Sequence, residues 1–286
     1  MRLALVVNPA AGGGRGAKLL PALEKAFAGH DVTVSLTTSL EHGEELARAA
    51  VADDRVVVAV GGDGLVGRVA GAVATARGVL GVVPGGRGND FCRSLGIRSV
   101  AAACDVVLTG VARPVDVGVV DGVPFLGIAS VGFDSDVQER VLRTRVPLGQ
   151  LVYLWAALAT VRSWRDATFT LEVDGAPVSV TGWSAAVSNS GVYGGGMRLA
   201  PDASVTDGSL DLVTTSSMGR LAFLRSFPKV FRGTHVTHPA VDVRPARSVT
   251  LSASRPFRVF ADGDPVATLP CTVTVLPGAL QLLLPR

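Results

Sequence analysis

No apolar run in the sequence is long enough to cross a bilayer, and Met1 is not followed by a leader with basic, apolar and small-residue regions. The expectation is a cytoplasmic chain that does not span a membrane. Cysteine is scarce: Cys92, Cys104 and Cys271 are scattered without ligand spacing and read as reduced, structural thiols. Charge is scarce too. Charged residues make up 18% against 48% apolar, which argues against disorder and leaves material for a sizeable core. The formal net charge of +3, carried more by arginine than by lysine, is too mild to point to nucleic acid. It is compatible with loose attraction to an anionic membrane face. The G-x-x-x-x-G-K-[ST] loop is absent, and "GGGRGAK" has no ribose-binding acid at the usual distance beyond it. These two absences exclude a Walker-type loop and argue against a dinucleotide fingerprint.

What is present changes character along the 286 residues. In the first part, strand-like "RLALVVN", "DVTVSLTT", "RVVVAV" and "VLGVVP" alternate with helical "GAKLLPALEKAF", "EHGEELARAA", "GLVGRVAGAVATA" and "SVAAACDVVL". Near-continuous apolar strands in a βα rhythm predict a parallel sheet covered on both faces. Beyond about Arg113 short strands follow, joined at Asp121-Gly122, Asp174-Gly175 and Asp262-Gly263, which are hairpin signals. The expected fold is an α/β domain with a parallel sheet over residues 1–113, then an antiparallel β-sandwich domain over 114–286. The last strand, "ALQLLLP", suits either domain. The apolar helix from Leu148 to Val161 is too short to span a membrane and reads as a buried or interdomain helix.

Ligands of open α/β sheets bind beyond the carboxyl ends of the strands. Three such ends are rich in glycine: Asn8 to Gly16, Gly61 to Gly64, and Pro84 to Asp90. Glycine lets backbone N–H groups approach and point at a ligand. One such loop is a weak signal; three at one edge are harder to dismiss. Asp63 stands among the glycines of the second loop, where a carboxylate would repel a polyphosphate unless a cation lay between them. The alternative is a carboxylate that caps the helix following it.

"VVNPAAGGGRG", "GGDG", "GVVPGGRGNDFCRSLGI" and "VYGGGMRLAPDASVTDGSLDLV", in that order, resemble the bacterial diacylglycerol kinases, lipid kinases related to sphingosine and ceramide kinases. "GGDG" is shared with NAD kinases; the other runs are more specific. The resemblance covers nearly the whole chain and implies that the α/β domain is a nucleotide-binding domain, with ATP in a cleft between the two domains. It implies nucleotide contacts from Asn8, Pro9, Ala10, Ala11 and Gly12, from Thr37, and from Gly61, Gly62, Asp63, Gly64, Leu65, Val66 and Gly67. It also implies a Mg²⁺ site from the Asp207 carboxylate with carbonyls near Ser204 and Ser209, and Asp264 as the proton acceptor for a lipid hydroxyl. Phosphoryl transfer depends on positioning and charge neutralisation, so Asp63 fits as the acid that holds the cation or its waters.

Departures from the family pattern are Leu65 for threonine, Gly67-Arg68 for an Asn-Glu pair, Arg87 for threonine and Asp264 for glutamate. Arg87 offers a fork of phosphate donors in place of the lost hydroxyl. His235 and His238 lack a third ligand and read as packing residues. Asn89 and Asp90 read as support for the helix near Phe91. Asp134 and Asp136 either face the cleft or begin a helix favourably. The implied partners are a lipid alcohol and a peripheral membrane surface, with no nucleic acid; a homodimer is left open. The alternatives are a catalytically weak lipid- or nucleotide-binding protein on the same fold, and an NAD kinase-like enzyme.

Overall fold

A computed structural model describes residues 1–144 and 151–286. The first half runs β1 (Arg2–Val7), α1 (Ala11–Lys18), α2 (Leu20–Ala26), β2 (Asp31–Leu36), α3 (Leu40–Ala52), β3 (Val56–Gly61), α4 (Asp63–Thr75), β4 (Val79–Pro84), α5 (Asp90–Ser94) and α6 (Val100–Thr109). Strands β1, β3 and β4 are buried from their second residue on, as strands covered on both faces must be. They form a parallel sheet in the order β4-β3-β1-β2. Ser39 and Ser99 cap α3 and α6 by accepting the N–H of the third residue on, each worth about 1 kcal/mol.

One expected element differs. The helix expected from Gly16 to Phe27 is divided into α1 and α2 at Leu19, because Pro21 lacks an N–H and fits only a first turn. Gly12, Gly13 and Gly14 have φ of 61°, 76° and 92°, so the start of α1 is a loop with left-handed backbone.

The second half runs β5 (Val111–Val120), β6 (Val123–Phe125), β7 (Ile128–Gly132), α7 (Phe133–Arg143), α8 (Leu151–Ser163), β8 (Ala167–Val173), β9 (Ala176–Ser188), β10 (Val192–Tyr193), β11 (Met197–Arg198), β12 (Leu210–Ser216), α9 (Arg220–Val230), β13 (Val241–Ala246), β14 (Ser248–Ala253), β15 (Arg258–Ala261), β16 (Asp264–Thr268) and β17 (Cys271–Leu284). Here the pairings are antiparallel, and all three Asp-Gly pairs turn hairpins with both residues at positive φ. The expected start of the apolar helix, Leu148 to Gln150, lies outside the described residues; α8 is described from Leu151. Among the described residues no helix is long and apolar enough to cross a membrane.

β17 joins the halves. Its first part pairs with β14, Val273 to Leu276 and Leu280 to Leu284 pair with β5 across an irregularity, and its end runs parallel to β4 through Gln281 and Leu282. Arg113 lies within β5, whose Val115 and Val117 sit in the core around β1, β3 and α4, while Val120 sits in the core around Trp183 and Phe169. The last strand therefore packs on both halves, and the carboxyl edge of the parallel sheet faces the antiparallel strands.

Candidate nucleotide-binding site

The three glycine loops meet. Gly85 and Gly86 both donate their N–H to the Gly61 carbonyl, at 2.8 and 3.0 Å. A Cβ on Gly86 would collide with the Gly62 Cα, and one on Gly12 would lie 2.9 Å from the Gly85 oxygen. Backbone thus packs on backbone, at distances only glycine permits. Asn8 belongs to the same junction: its N–H donates to the Val60 carbonyl, and its Oδ1 accepts the Ala10 N–H, setting the turn over Pro9. Ala11 is buried at the root of this loop. Thr37 stands at the end of β2, buried, with its N–H on the Val7 carbonyl.

Gly62 caps α4 without a side chain, and the N–H groups of Asp63, Gly64 and Leu65 have no acceptor within the helix. They face the junction at the positive end of a 13-residue helix, an arrangement suited to an anion. The Arg87 side chain is exposed over the first glycine loop; its Nη2 lies 3.7 Å from where a Cβ on Gly13 would stand. Among the described residues it has no carboxylate partner within ion-pair distance.

Asp63 does not cap its own helix. Its Oδ1 accepts the Phe91 N–H at 3.0 Å, so it caps α5 from the neighbouring loop. Asn89, expected as a capping residue, instead closes its own loop: Oδ1 accepts the Gly86 N–H at 2.7 Å and Nδ2 donates to the Gly86 carbonyl at 3.0 Å. Its φ of 52° turns the side chain away from the N-cap geometry. Asp90 is 93% buried by its 7% exposure, accepts the Gly195 N–H through Oδ2, and has Oδ1 without a hydrogen-bond partner. Asp63 Oδ2 and Asp90 Oδ2 each lie 3.1 Å from a Cβ placed on Gly88. Burial, with the Asp63 charge adding to it, raises the Asp90 pKa, while the Gly195 amide works against that rise.

The β15–β16 hairpin supplies two further carboxylates. Asp264 reaches the first turn of α4, so that a Cβ on Gly64 would collide with its Oδ2. Burial raises its pKa, and the nearby Arg68 charge opposes this. Asp262, at the turn itself, accepts the N–H groups of Leu126, Gly127 and Ile128 at 2.9, 2.9 and 3.2 Å. Burial nevertheless pushes its pKa up to about 7, against those amides and with the Asp63 charge adding. Asp262, Asp264 and Arg68 line a cavity of about 160 Å³ beside Gly64 and Gly67.

These contacts explain two of the departures. A Cβ on Gly67 would stand 2.8 Å from Asp262 Oδ2, so glycine lets the hairpin close on α4. Leu65 is buried, its methyls packed toward Gly43 and Gly61, so it reaches the junction through its backbone alone, as does buried Val66. Arg68 pairs with Glu44 and, at 3.8 Å, with Glu41.

The antiparallel half supplies the facing wall. Gly194, Gly195 and Gly196 form a loop over Asp90, and Tyr193 points its hydroxyl at both oxygens of Asp134, each at 3.4 Å. Asp134 thus stands in the first turn of α7 with the Tyr193 hydroxyl on its carboxylate. Burial pushes its pKa up to about 6, and the tyrosine hydroxyl acts against that.

Ser204, Asp207 and Ser209 lie together on a separate turn. Asp207 Oδ1 accepts both the N–H and the hydroxyl of Ser209 at 3.0 Å, and Ser204 Oγ lies 3.1 Å from Thr206 Oγ1. The turn is anchored by buried Asp116, which accepts the N–H of Gly208 at 2.8 Å and of Gly278 at 2.7 Å. Among the described residues no three His, Cys, Asp or Glu side chains group as metal ligands. His235 is buried, and His238 Nδ1 accepts the Ala240 N–H, consistent with packing. The three cysteines are free and buried. Sequence reasoning passed over Asp262, Tyr193 and Asp116. Asp262 carried only the signal of a turn residue, and the partners of the other two lie far away in the chain.

Two family models match the chain: the diacylglycerol kinase catalytic domain over residues 2–120, and the YegS C-terminal NAD kinase beta sandwich-like domain over residues 127–284. A diacylglycerol kinase of Mycobacterium tuberculosis is 34% identical over 299 residues, covering 100% of this chain and 96% of the relative. One from Bacillus subtilis is 30% identical over 293 residues, covering 100% and 97%. The crystal structure of a diacylglycerol kinase from Bacillus anthracis superposes with a TM-score of 0.78 at 25% identity, covering 99% of this chain and 96% of that one.

Proposed function

This chain belongs to the diacylglycerol kinase family, phosphotransferases with an alcohol acceptor, and we propose that it moves the γ-phosphoryl group of ATP to a lipid hydroxyl such as that of diacylglycerol, with Mg²⁺. The observation that carries this reading is the meeting of three glycine loops at the N-terminus of α4, with two carboxylates from a distant hairpin closed over it.

In this reading the loops Asn8–Gly12 and Gly61–Gly67 border the ATP phosphates, the free N–H groups of Asp63, Gly64 and Leu65 donate to them, Thr37 borders the nucleotide, and Arg87 donates to a phosphate oxygen. Electrostatic positioning of this kind, not covalent help, is what phosphoryl transfer requires. Mg²⁺ fits the site: Asp63 and Asp90 both turn Oδ2 toward Gly88, the Asp63 Oδ2 lies beyond its bond to Phe91, and Asp90 Oδ1 is buried without a hydrogen-bond partner, with Arg93 Nε 3.9 Å away. One or two carboxylates, with phosphates and waters completing the shell, suit this ion, which would neutralise phosphate charge there. Asp63 and Asp90 are the residues that would hold it. Ser204, Asp207 and Ser209 are proposed as a structural cation site with an all-oxygen donor set, and no chemical step runs through them.

Asp264 orients the acceptor hydroxyl and takes its proton as the oxygen bonds to the γ-phosphorus and ADP leaves. A loose transition state delays that proton transfer, so the carboxylate acts first by orientation. Access to a bilayer-resident acceptor implies a cytoplasmic protein that visits membranes.

The test is phosphoryl transfer from ATP to a panel of diacylglycerol, other lipid alcohols and NAD. Labelled phosphatidic acid is the expected product. Transfer to NAD would make the chain an NAD kinase, and ATP binding without transfer to any acceptor would leave a binding protein.

A further inference from the structure

Closure of the hairpin on α4 explains Gly67 but not the residue after it. Arg68 puts a cation where the family pattern has an acid. Its side chain is three-quarters buried, at 25% exposure. Nε is shut off from solvent without a hydrogen-bond partner, and neither Nη finds one among the described residues. Glu44 beside it is shared, because its other carboxylate oxygen accepts from Arg48 at 2.8 Å. Glu41 lies 3.8 Å from Nη2 and is 71% exposed, so water screens that pair. A guanidinium has five N–H donors and no acceptor, and leaving donors buried and unpaired is costly. The site therefore favours a ligand that brings acceptors to Arg68.

These donors border the cavity of about 160 Å³ beside Gly64 and Gly67. Leu40, Val123, Pro124 and Val266 give it apolar walls. The hairpin adds two acids. Asp262 is spent on the amides of residues 126–128, whereas Asp264 holds its Oδ2 against Gly64. Gly64 and Arg68 stand one turn apart on α4, about 6 Å along its axis, so one small ligand reaches both Asp264 and Arg68.

Charge narrows the choice of ligand. An anion in this cavity would meet Asp262, Asp264 and Glu41. A neutral alcohol with a carbonyl a few bonds from its hydroxyl suits both ends: the hydroxyl donates to Asp264, the carbonyl accepts from Arg68, and the carbon skeleton lies on the apolar walls. A diacylglycerol has this arrangement, with an ester on the carbon next to the one that bears its free hydroxyl. We propose that Arg68 is a specificity-determining residue that reads the ester carbonyl of the acceptor, so that the chain selects acylated glycerols over their ether analogues. An ether offers no carbonyl, and a site built to hydrogen-bond a substrate group rejects the analogue that lacks it. The proposal rests on the reading of Asp264 as the base for the acceptor hydroxyl.

The test compares a short-chain, water-soluble diacylglycerol with the dialkyl ether of the same chain length. Parent, Arg68→Gln and Arg68→Lys are assayed at saturating ATP, at a pH above the acid limb of each, after thermal melts confirm their folds. The parent is expected to favour the diester at least tenfold in kcat/KM. Arg68→Gln should lose about tenfold on the diester, carried by KM, while the diether changes less than twofold and ATP affinity by calorimetry stays at the parent value. Arg68→Lys, which keeps a charged donor, should recover part of the diester preference. Equal use of the two alcohols by the parent, or equal loss on both in Arg68→Gln, would overturn the proposal. So would a tenfold loss of ATP affinity in Arg68→Gln, which would give the cavity to the nucleoside. Transfer to neither alcohol would overturn the kinase reading instead. Calorimetric titration with the diester alone then decides the pocket: at least tenfold weaker binding to Arg68→Gln supports it, and equal or absent binding overturns it.

Discussion

The Asp264 carboxylate occupies the space that a side chain on Gly64 would need. Two residues 200 positions apart therefore define one point, where the first turn of the phosphate-facing helix meets the acid of a hairpin. A glycine flanking Asp63 is required there for room. Its φ is not among the positive values of the chain.

From this contact follows a prediction for Asp264. As proton acceptor it should contribute about 10²–10⁴-fold, so Asp264→Asn should lose that much kcat while ATP affinity stays near the parent value. Asp264→Glu should retain substantial activity. Gly64→Ala should lower kcat by pushing the acid aside. The base works ionised, so raising its pKa by burial moves the acid limb of the kcat/KM profile above the ordinary carboxylate range. Arg68 lowers that pKa, so Arg68→Gln should move the limb to still higher pH. A kcat for Asp264→Asn within fivefold of the parent would reduce Asp264 to a turn residue.

Asp63 carries two duties that substitution can separate. Asp63→Asn keeps an oxygen for the Phe91 N–H and should fold normally, yet lose turnover along with its negative charge. Asp63→Ala also strands that N–H, at a cost of about 1–3 kcal/mol in stability. Chemical denaturation paired with a kinase assay checks both, and full activity in Asp63→Asn would remove Asp63 from the chemistry.

Arg87 should bind phosphate. Losing a charge-assisted hydrogen bond costs about 1.5–3 kcal/mol, roughly ten- to a hundredfold in affinity. Calorimetric titration of Arg87→Ala with ATP should show this loss, and an unchanged Kd would place the side chain outside the site.

Asp262 makes stability depend on pH in a definite direction. Its pKa, raised from 3.8 to about 7, means that the folded protein holds the proton where the unfolded chain has released it. The stabilisation is fully present below the ordinary carboxylate value and is lost as pH rises through about 7. Melting temperatures measured between pH 5 and pH 8 should fall less for Asp262→Asn than for the parent. Equal slopes would mean that its three amide donors keep the carboxylate ionised at low pH, as such donors can.

Much of this architecture was legible in the sequence. Apolar strands ending in glycine loops marked a parallel sheet and its ligand edge, and the Asp-Gly pairs marked hairpins now seen at positive φ. Asp264 was singled out through the family resemblance, which places an acid directly after such a pair. The role of Asp262 was not legible, because its partners, the amides of residues 126–128, lie more than 130 positions away. Asp63 was expected to cap its own helix or face a cation; that it caps α5 depends on how Gly86 packs on Gly62.

Features that depend on neighbours a few residues apart were local matters: the helical and strand periods, the caps at Ser39 and Ser99, and glycines where strands turn into helices. Those preferences act over one or two turns of chain and survive in any tertiary setting. What distant segments share was left to long-range packing. It threaded β17 through both halves, closed the Asp262–Asp264 hairpin on α4, and turned the large residues of α8 outward. An apolar helix reads the same in sequence whether it faces a core or a bilayer, because its composition states how much surface must leave water and not which partner removes it.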